Sequence, residues 1–174
     1  FQQYRARLVQ EEGVRPDVYR DTEGNLTVGI GHLIEPGDRR LFNALFGGRV
    51  NYDDLIRGRT ELTEPQIDAL FEHDLAERMD AAEAAIDNFD NYPWYVQVAI
   101  VDGFFRGDLA GSPDTIGHIN NEEWDQVAGE YRDNDEYRDS RAQGPRHGVW
   151  QRMDRNAGAF ERYAEELENR ENNR

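Results

Sequence analysis

The chain of 174 residues contains no cysteine, no lysine and no long apolar run. Without cysteine it can form neither disulfide bonds nor thiolate metal sites. No stretch of 18 or more apolar residues occurs, so we expect no transmembrane helix. A basic segment followed by an apolar one is also missing from its start, so the sequence predicts no signal peptide.

The charge of the chain is strongly negative, because 36 aspartate and glutamate residues outnumber 20 arginines and give a net charge of −16 at pH 7. A field of this sign repels nucleic-acid phosphates and anionic membrane surfaces. The arginines are scattered among acidic residues and form no basic patch, so we expect no nucleic-acid partner. The acidity itself indicates either a solubilising surface or an adaptation to high salt.

The composition is that of a folded protein, with 37% hydrophobic and 11% aromatic residues. A chain of this length can bury a core as one domain or as two small lobes. Most segments have helical periodicity and one short region alternates, so the sequence predicts an α+β fold that is mostly helical.

The first helix is predicted over residues 2–12, where apolar residues recur at helical spacing. Glu12 lies four residues beyond Leu8 and therefore on the inward face, whereas Glu11 follows Arg7 toward solvent. The glycine directly after this segment is a typical helix stop.

A small sheet is predicted next. Residues 17–19 and 26–28 have the alternating pattern of short strands, and a turn-rich segment over 21–25 joins them. Gly29 and Gly31 then let the backbone bend back sharply. The pattern predicts a hairpin or a three-stranded sheet.

The clearest helix start is at Thr63, a typical cap, with Pro65 in the first turn and Gln66 completing a capping box. Apolar residues continue at helical spacing as far as Phe89, so we expect a helix of about 25 residues.

The remaining segments are predicted as a second, helical lobe. Residues 96–105 are almost continuously apolar, which indicates a buried helix at its centre. We therefore predict a small α/β lobe over 1–62, followed by the long linking helix and helical lobe over 63–174. Shorter helices are expected near 39–46, 112–119, 121–131, 149–153 and 160–167, and the segment 49–61 is not assigned.

Two carboxyl groups and a hydroxyl lie close together in this sequence: Glu12, Asp21 nine residues later, and Thr27 six beyond that. Cleavage of a glycosidic bond needs one protonated acid for the leaving oxygen and one carboxylate as a base or electrostatic stabiliser. Glu12 is favoured as the acid because burial disfavours its charged form, and Asp21 in an open turn should stay ionised. Thr27 on the facing strand is placed to hold the attacking water. Residue types alone are weak evidence here, since a chain with 36 acids contains many such pairs.

Other catalytic patterns are missing from the sequence. The four histidines have no H-E-x-x-H spacing, and the acid-rich segments lack the EF-hand loop. Gly29 and Gly31 lack the third glycine of a dinucleotide-binding loop, and no serine lies in a nucleophile elbow.

The segments around these residues resemble the phage-type lysozymes, the muramidases of glycoside hydrolase family 24. The residues that carry the resemblance are 12–13, 19–24 and 27–32. It implies a lysozyme-like fold with Glu12 as the general acid, Asp21 as the second carboxylate and Thr27 as the water-positioning hydroxyl. It also implies cleavage of the β-1,4 bond between N-acetylmuramic acid and N-acetylglucosamine, with inversion and without a cofactor or metal.

The resemblance extends more loosely to other positions. It implies contacts with the sugar chain from Leu33, Phe105, Thr115 and Arg146. Packing is the commoner role of a phenylalanine such as Phe105. His32 and Asp74 match positions at which relatives form an ion pair between the lobes, and the alternative is a core histidine bonded to a backbone group.

The predicted function is that of a monomeric muramidase that lyses cell walls, with peptidoglycan as its partner. The resemblance implies a protein of the host cytoplasm that is released to the wall, or one attached to a virion. Two alternatives stay open: a catalytically idle wall-binding or virion structural module on the same fold, and related chemistry on another polymer such as chitin.

Overall fold

The computed structural model describes residues 1–21, 24–144 and 148–173, which form two compact units, Phe1–Glu77 and Arg78–Arg174. The fold is mostly helical with one small antiparallel sheet, as predicted. Our division into lobes at residue 62 followed the start of the long helix rather than compactness, and it stays a prediction. Among the described residues, none of the helices combines the length and apolar character that a membrane span requires.

The first unit carries the sheet. Its elements are α1 (Gln2–Glu12), β1 (Arg15–Arg20), β2 (Leu26–Gly29), β3 (His32–Leu33), α2 (Asp38–Phe46), α3 (Tyr52–Ile56) and the first part of α4 (Glu64–Ala85). The strands pair antiparallel in the order β1-β2-β3. Val28 and Ile30 are buried, and Gly29 lies against Ile67 and Leu70 of α4, so the end of β2 belongs to the core of this unit.

The long helix begins as predicted and ends earlier. The side chain of Gln66 accepts a hydrogen bond from the Thr63 N–H at 2.8 Å, which is one half of the predicted capping box. The helix ends at Ala85 because the Asn120 side chain donates to the Ala85 carbonyl and accepts from the Asp87 N–H, both at 2.9 Å. A short 3₁₀ turn, Phe89–Asn91, follows instead of the predicted last turns.

The second unit is helical. After the end of α4 its elements are α5 (Trp94–Arg106), α6 (Pro113–Asn120), α7 (Trp124–Arg132), α8 (Asp135–Ala142) and α9 (Gly148–Asn172). As predicted, α5 is buried along most of its length, and α9 packs against α5, α7 and α8. The helix α8 was not predicted, since only Tyr137 and Ser140 of its eight residues are buried.

The last helix corrects a prediction. The sequence indicated two separate helices near 149–153 and 160–167, whereas α9 runs without interruption. The inward face of α9 contains the apolar residues Met153, Ala157 and Phe160. Two polar residues, Arg152 and Asn156, also lie on this face, so the apolar pattern in the sequence is interrupted.

The polar residues on the inner face of α9 have a partner in α5. The guanidinium of Arg152 donates to the Asp102 carboxylate, with Nη2 at 2.8 Å from Oδ1 and Nε at 3.2 Å from each oxygen. The Asn156 amide donates to the same carboxylate at 2.8 Å and to the Tyr131 hydroxyl at 3.2 Å. The side chains of Arg152 and Asp102 are only 8% and 1% exposed, so this is a buried ion pair.

We expect the substitution Asp102→Ala to lower the free energy of unfolding by about 3–5 kcal/mol, because it leaves the Arg152 guanidinium buried without its carboxylate. The exposed pair of Asp133 with Arg138 provides the control, and Asp133→Ala should cost less than about 1 kcal/mol. Urea unfolding of both variants measures the difference, and equal losses would contradict the importance of the buried pair.

Candidate active site

Glu12 is the last residue of α1 and lies where the chain leaves the helix. Leu8, one turn earlier, is fully buried, and Gly13 ends the helix with a positive φ of 72° and an N–H that donates to the Val9 carbonyl at 2.9 Å. Glu12 itself is partly buried, as the helical phase predicted.

The side chain of Glu12 lies directly on the backbone of Gly31, in the turn between β2 and β3. A methyl group at Gly31 would come within 2.9 Å of Cγ, 3.0 Å of Cδ and 3.1 Å of Oε2 of Glu12. The 2.9 Å separation is shorter than carbon contacts permit and the other two are tighter than most, and Gly31 also has a φ of 70°, a conformation that side chains disfavour. The sequence indicated the bend at Gly31 but not this contact, which joins residues far apart in the chain.

Glu11 corrects a prediction. It does not extend into solvent: its side chain is 5% exposed and lies 3.4 Å from the Arg7 guanidinium, one turn earlier. The arginine supplies the opposite charge that lets this carboxylate be buried. Burial alone therefore does not distinguish the two adjacent acids, and the contact with Gly31 is what sets Glu12 apart.

Asp21 lies directly after β1, where its carboxylate organises the turn that follows. Its Oδ1 accepts from the Asn25 N–H at 2.8 Å and its Oδ2 faces the Asn25 amide at 3.3 Å. The Asp21 N–H donates to the Asn25 carbonyl at 2.9 Å, so backbone and side chain hold the same position. The turn residues Thr22 and Glu23 lie outside the described residues.

Thr27 is the central residue of a row across the sheet. It pairs with Tyr19 of β1 on one side and with Leu33 of β3 on the other, so the three side chains emerge on one face. Thr27 is 5% exposed, and its buried Oγ1 has no hydrogen-bond partner within the described part of the chain. A buried hydroxyl without a partner is costly unless water or a ligand satisfies it.

His32 directly follows the turn between β2 and β3, and both of its ring nitrogens face carboxylates. Its Nδ1 lies 2.9 Å from Oδ2 of Asp74 in α4, and its Nε2 lies 3.3 Å from Oδ2 of Asp38 in α2. The partners are carboxylates, so the backbone-bonded alternative was wrong. His32 and Asp74 both belong to the unit Phe1–Glu77, so their ion pair lies within that unit.

The pKa of His32 reflects two opposed effects. Burial by itself lowers this pKa, but the hydrogen bonds and negative charges of Asp74 and then Asp38 outweigh burial. The net effect raises the pKa above its usual 6.5, so the charged imidazolium is favoured between its two carboxylates.

One group of possible metal ligands occurs among the described residues, namely His73, Asp74 and Glu77, whose ligand atoms lie within 4.8 Å of one another. Asp74 is already ion-paired with His32. Exposed acidic groups are common without a bound ion, so we assign no metal to this group.

The predicted sugar contacts have different environments, and their roles stay predictions. Leu33 is 44% exposed, next to Thr27 in the row across the sheet. Phe105 is partly buried near the end of α5, and Thr115 in α6 is only 1% exposed. Arg146 lies outside the described residues. Phe105 and Thr115 belong to the second unit, Arg78–Arg174.

Chemically, the unit Phe1–Glu77 combines an acid at the end of a helix, a carboxylate held in a turn and a buried hydroxyl on β2. An acid and a carboxylate are the pair with which glycosidases protonate a leaving oxygen and assist the attacking group. The hydroxyl of Thr27 can hold a water molecule by hydrogen bonding. The three residues of the sequence motif lie in one unit of the structure, and their catalytic roles stay predictions.

Comparison with known proteins gives a family match and two similar proteins. The family described as phage lysozyme matches residues 9–145. Two proteins of Dictyostelium discoideum are similar: probable T4-type lysozyme 2 is 30% identical over 79 residues, and probable T4-type lysozyme 1 is 36% identical over 74 residues. The aligned stretches cover 44% and 40% of this chain and 46% and 42% of those proteins. The chain thus spans less than half the length of these relatives.

We expect Gly31→Ala to reduce the hydrolytic activity of this site by about 100-fold, because the new methyl group displaces the Glu12 carboxyl group. The positive φ adds a conformational penalty of about 1–2 kcal/mol. Gly58→Ala is the matched control, since Gly58 has a φ of 66° and nothing within 4 Å of an added methyl group. The control should lose similar stability in urea unfolding and keep its activity, and equal activity of the two variants would contradict the contact.

The raised pKa of His32 predicts a pH-dependent stabilisation. A histidine whose pKa is higher in the folded state contributes stability that is fully present below its unfolded pKa, near 6.5, and is lost as the pH rises through the folded value. The difference in unfolding free energy between the wild type and Asp74→Asn should therefore be largest at about pH 5–6 and shrink at higher pH. Urea unfolding across this range measures it, and a difference that grows with pH would contradict the assignment.

Proposed function

Because the chain belongs to the phage lysozyme family, we propose that it is a glycoside hydrolase that cleaves peptidoglycan. The bond broken is the β-1,4 bond between N-acetylmuramic acid and N-acetylglucosamine, and the result is lysis of the cell wall. The observation that carries the proposal is the buried Thr27 hydroxyl, which has no partner among the described residues and lies on the hairpin that also holds Asp21.

In the proposed reaction Glu12 is the general acid. Its carboxylic proton passes to the glycosidic oxygen as the bond between that oxygen and the anomeric carbon breaks. The carboxyl group lies against the backbone of Gly31, which restricts its movement on that side. Fixed placement of this kind reduces the entropic part of the barrier.

Asp21 and Thr27 act on the opposite side of the sugar. The Thr27 hydroxyl orients a water molecule, and the Asp21 carboxylate takes its proton while the water oxygen bonds to the anomeric carbon. The proton count balances, because Glu12 loses one proton and Asp21 gains one in each turnover. Attack by water on the face opposite to the leaving group inverts the configuration, so the proposed enzyme is inverting.

The acidic surface affects how such an enzyme approaches its substrate. A net charge of −16 repels anionic polymers, and this repulsion is long-ranged at low ionic strength. Salt screens it without touching the bond chemistry, so the effect falls on association with the wall.

We expect Glu12→Gln to lower the rate of murein hydrolysis by about 100- to 10,000-fold, because the amide has no acidic proton to donate. The matched control is Glu11→Gln, which alters the adjacent acid that is ion-paired with Arg7 and should retain most of the activity. Release of reducing ends from purified murein measures both variants. Full activity of Glu12→Gln would refute the proposal, and murein binding by the wild type without released ends would identify an idle wall-binding module instead.

The inverting mechanism predicts that the first product carries a new reducing end in the α configuration. Proton NMR of the anomeric signals in the first minutes of digestion tests it, before mutarotation mixes the anomers. An initial β product would indicate a retaining route. Parallel digestion of chitin separates muramidase activity from activity on a related polymer.

Activity on intact cell walls should rise as salt is added, since screening weakens the repulsion between protein and wall. Activity on short, uncharged oligosaccharides should change little over the same series. Turbidity and reducing-end assays across about 0.05–1 M salt measure the two responses. Activity on walls that falls steadily with salt would show that repulsion does not limit association.

A further inference from the structure

Tyr19 shares a sheet face with Thr27, one of the proposed catalytic residues. It is directly opposite Thr27 in the antiparallel pair of β1 and β2, and cross-strand partners project their side chains on the same side. Asp21 is two residues further along, and alternate residues of an extended chain face the same way. The sequence motif contains Tyr19 but gave it no role.

The ring of Tyr19 is stacked against an ion pair formed by two residues of its own strand. The Arg15 guanidinium carbon lies 4.8 Å from the ring centroid. The same guanidinium donates two hydrogen bonds to the Asp17 carboxylate, Nε to Oδ1 at 3.1 Å and Nη2 to Oδ2 at 2.8 Å. A planar guanidinium can stack on a ring and bind a carboxylate in two places at once. These contacts favour one position of the ring.

The phenol keeps its proton in this environment. Burial raises the pKa of Tyr19, and the negative charge of Glu12 raises it further, while Arg15 lowers it and Asp21 and Asp17 add smaller increases. Tyr19 thus offers a neutral O–H donor on the face of the sheet that carries Thr27.

We propose that Tyr19 is a substrate-binding residue of this site. Its ring contacts an N-acetylhexosamine unit, and its hydroxyl donates a hydrogen bond to one oxygen of that sugar. The assignment rests on the proposed function. A phenol oxygen is several bonds further from the backbone than a threonine hydroxyl, so it reaches past the water held by Thr27 to the sugar itself. Tyr19 is only partly buried, so its ring is open to a ligand.

The structure also contains a matched control. Tyr52, at the start of α3, lies under the Arg39 guanidinium at 5.0 Å from carbon to centroid, and Arg39 makes a two-point ion pair with Asp53. The local arrangement of arginine, tyrosine and aspartate is the same, and the pKa of Tyr52 is raised first by burial, as for Tyr19. Tyr52 packs on Phe42 rather than beside the proposed catalytic residues.

The test compares Tyr19→Phe with Tyr52→Phe, each of which keeps the ring and removes the hydroxyl. We expect Tyr19→Phe to raise KM for murein about 5- to 20-fold with kcat within about 2-fold, because a contact made equally in the ground and transition states affects binding alone. Tyr52→Phe should leave both constants unchanged. A structural role for Tyr19 would instead lower the melting temperature and leave KM in place, which would overturn the proposal.

A binding measurement separates this inference from the proposed function. In the Glu12→Gln background, co-sedimentation with purified murein should show a similar 5- to 20-fold loss of affinity on adding Tyr19→Phe. Unchanged affinity and KM would overturn the role of Tyr19, while an inactive Glu12→Gln would leave the proposed function intact. Full activity of Glu12→Gln would refute the proposed function itself.

Discussion

The contact between the Glu12 carboxyl group and the bare backbone of Gly31 is the constraint on which the site depends. It joins the end of α1 to the turn between β2 and β3, and that turn is held in place by His32 between Asp38 and Asp74. The position of the Glu12 side chain is thus linked to the backbone of the turn and to the charged groups beside it.

Local signals in the sequence predicted much of this fold. The glycine after α1 and the cap at Thr63 depend only on neighbouring residues, and the mostly helical fold with one small sheet was confirmed. The family resemblance selected the acid, aspartate and threonine, because it is carried by one local stretch of the chain, residues 12–32. Contacts between residues far apart in the chain were not predicted, and the contact of Gly31 with Glu12 is one of them. The burial of Glu11 was not predicted either, because helical periodicity does not show the ion pair that this residue makes.

The chain contains arginine but no lysine, and two of its arginine contacts depend on the planar guanidinium. In the buried pair with Asp102, Arg152 makes several hydrogen bonds to one carboxylate, and in β1 a guanidinium stacks on a ring while binding a carboxylate. The compact ammonium of lysine can do neither of these in the same geometry. In a chain with so many acids, each such cation holds a carboxylate in a defined direction.

The buried pair between α5 and α9 also bears on the order in which the second unit forms. Asp102 and Arg152 are 50 residues apart in sequence. On the ribosome, α5 emerges well before α9, and its central carboxylate has no guanidinium to neutralise it until the last helix has been made. Chains grow from the N-terminus at about 5–20 residues per second, so the delay lasts seconds. During that interval the second unit is incomplete, and its apolar centre is open to chaperones or to aggregation.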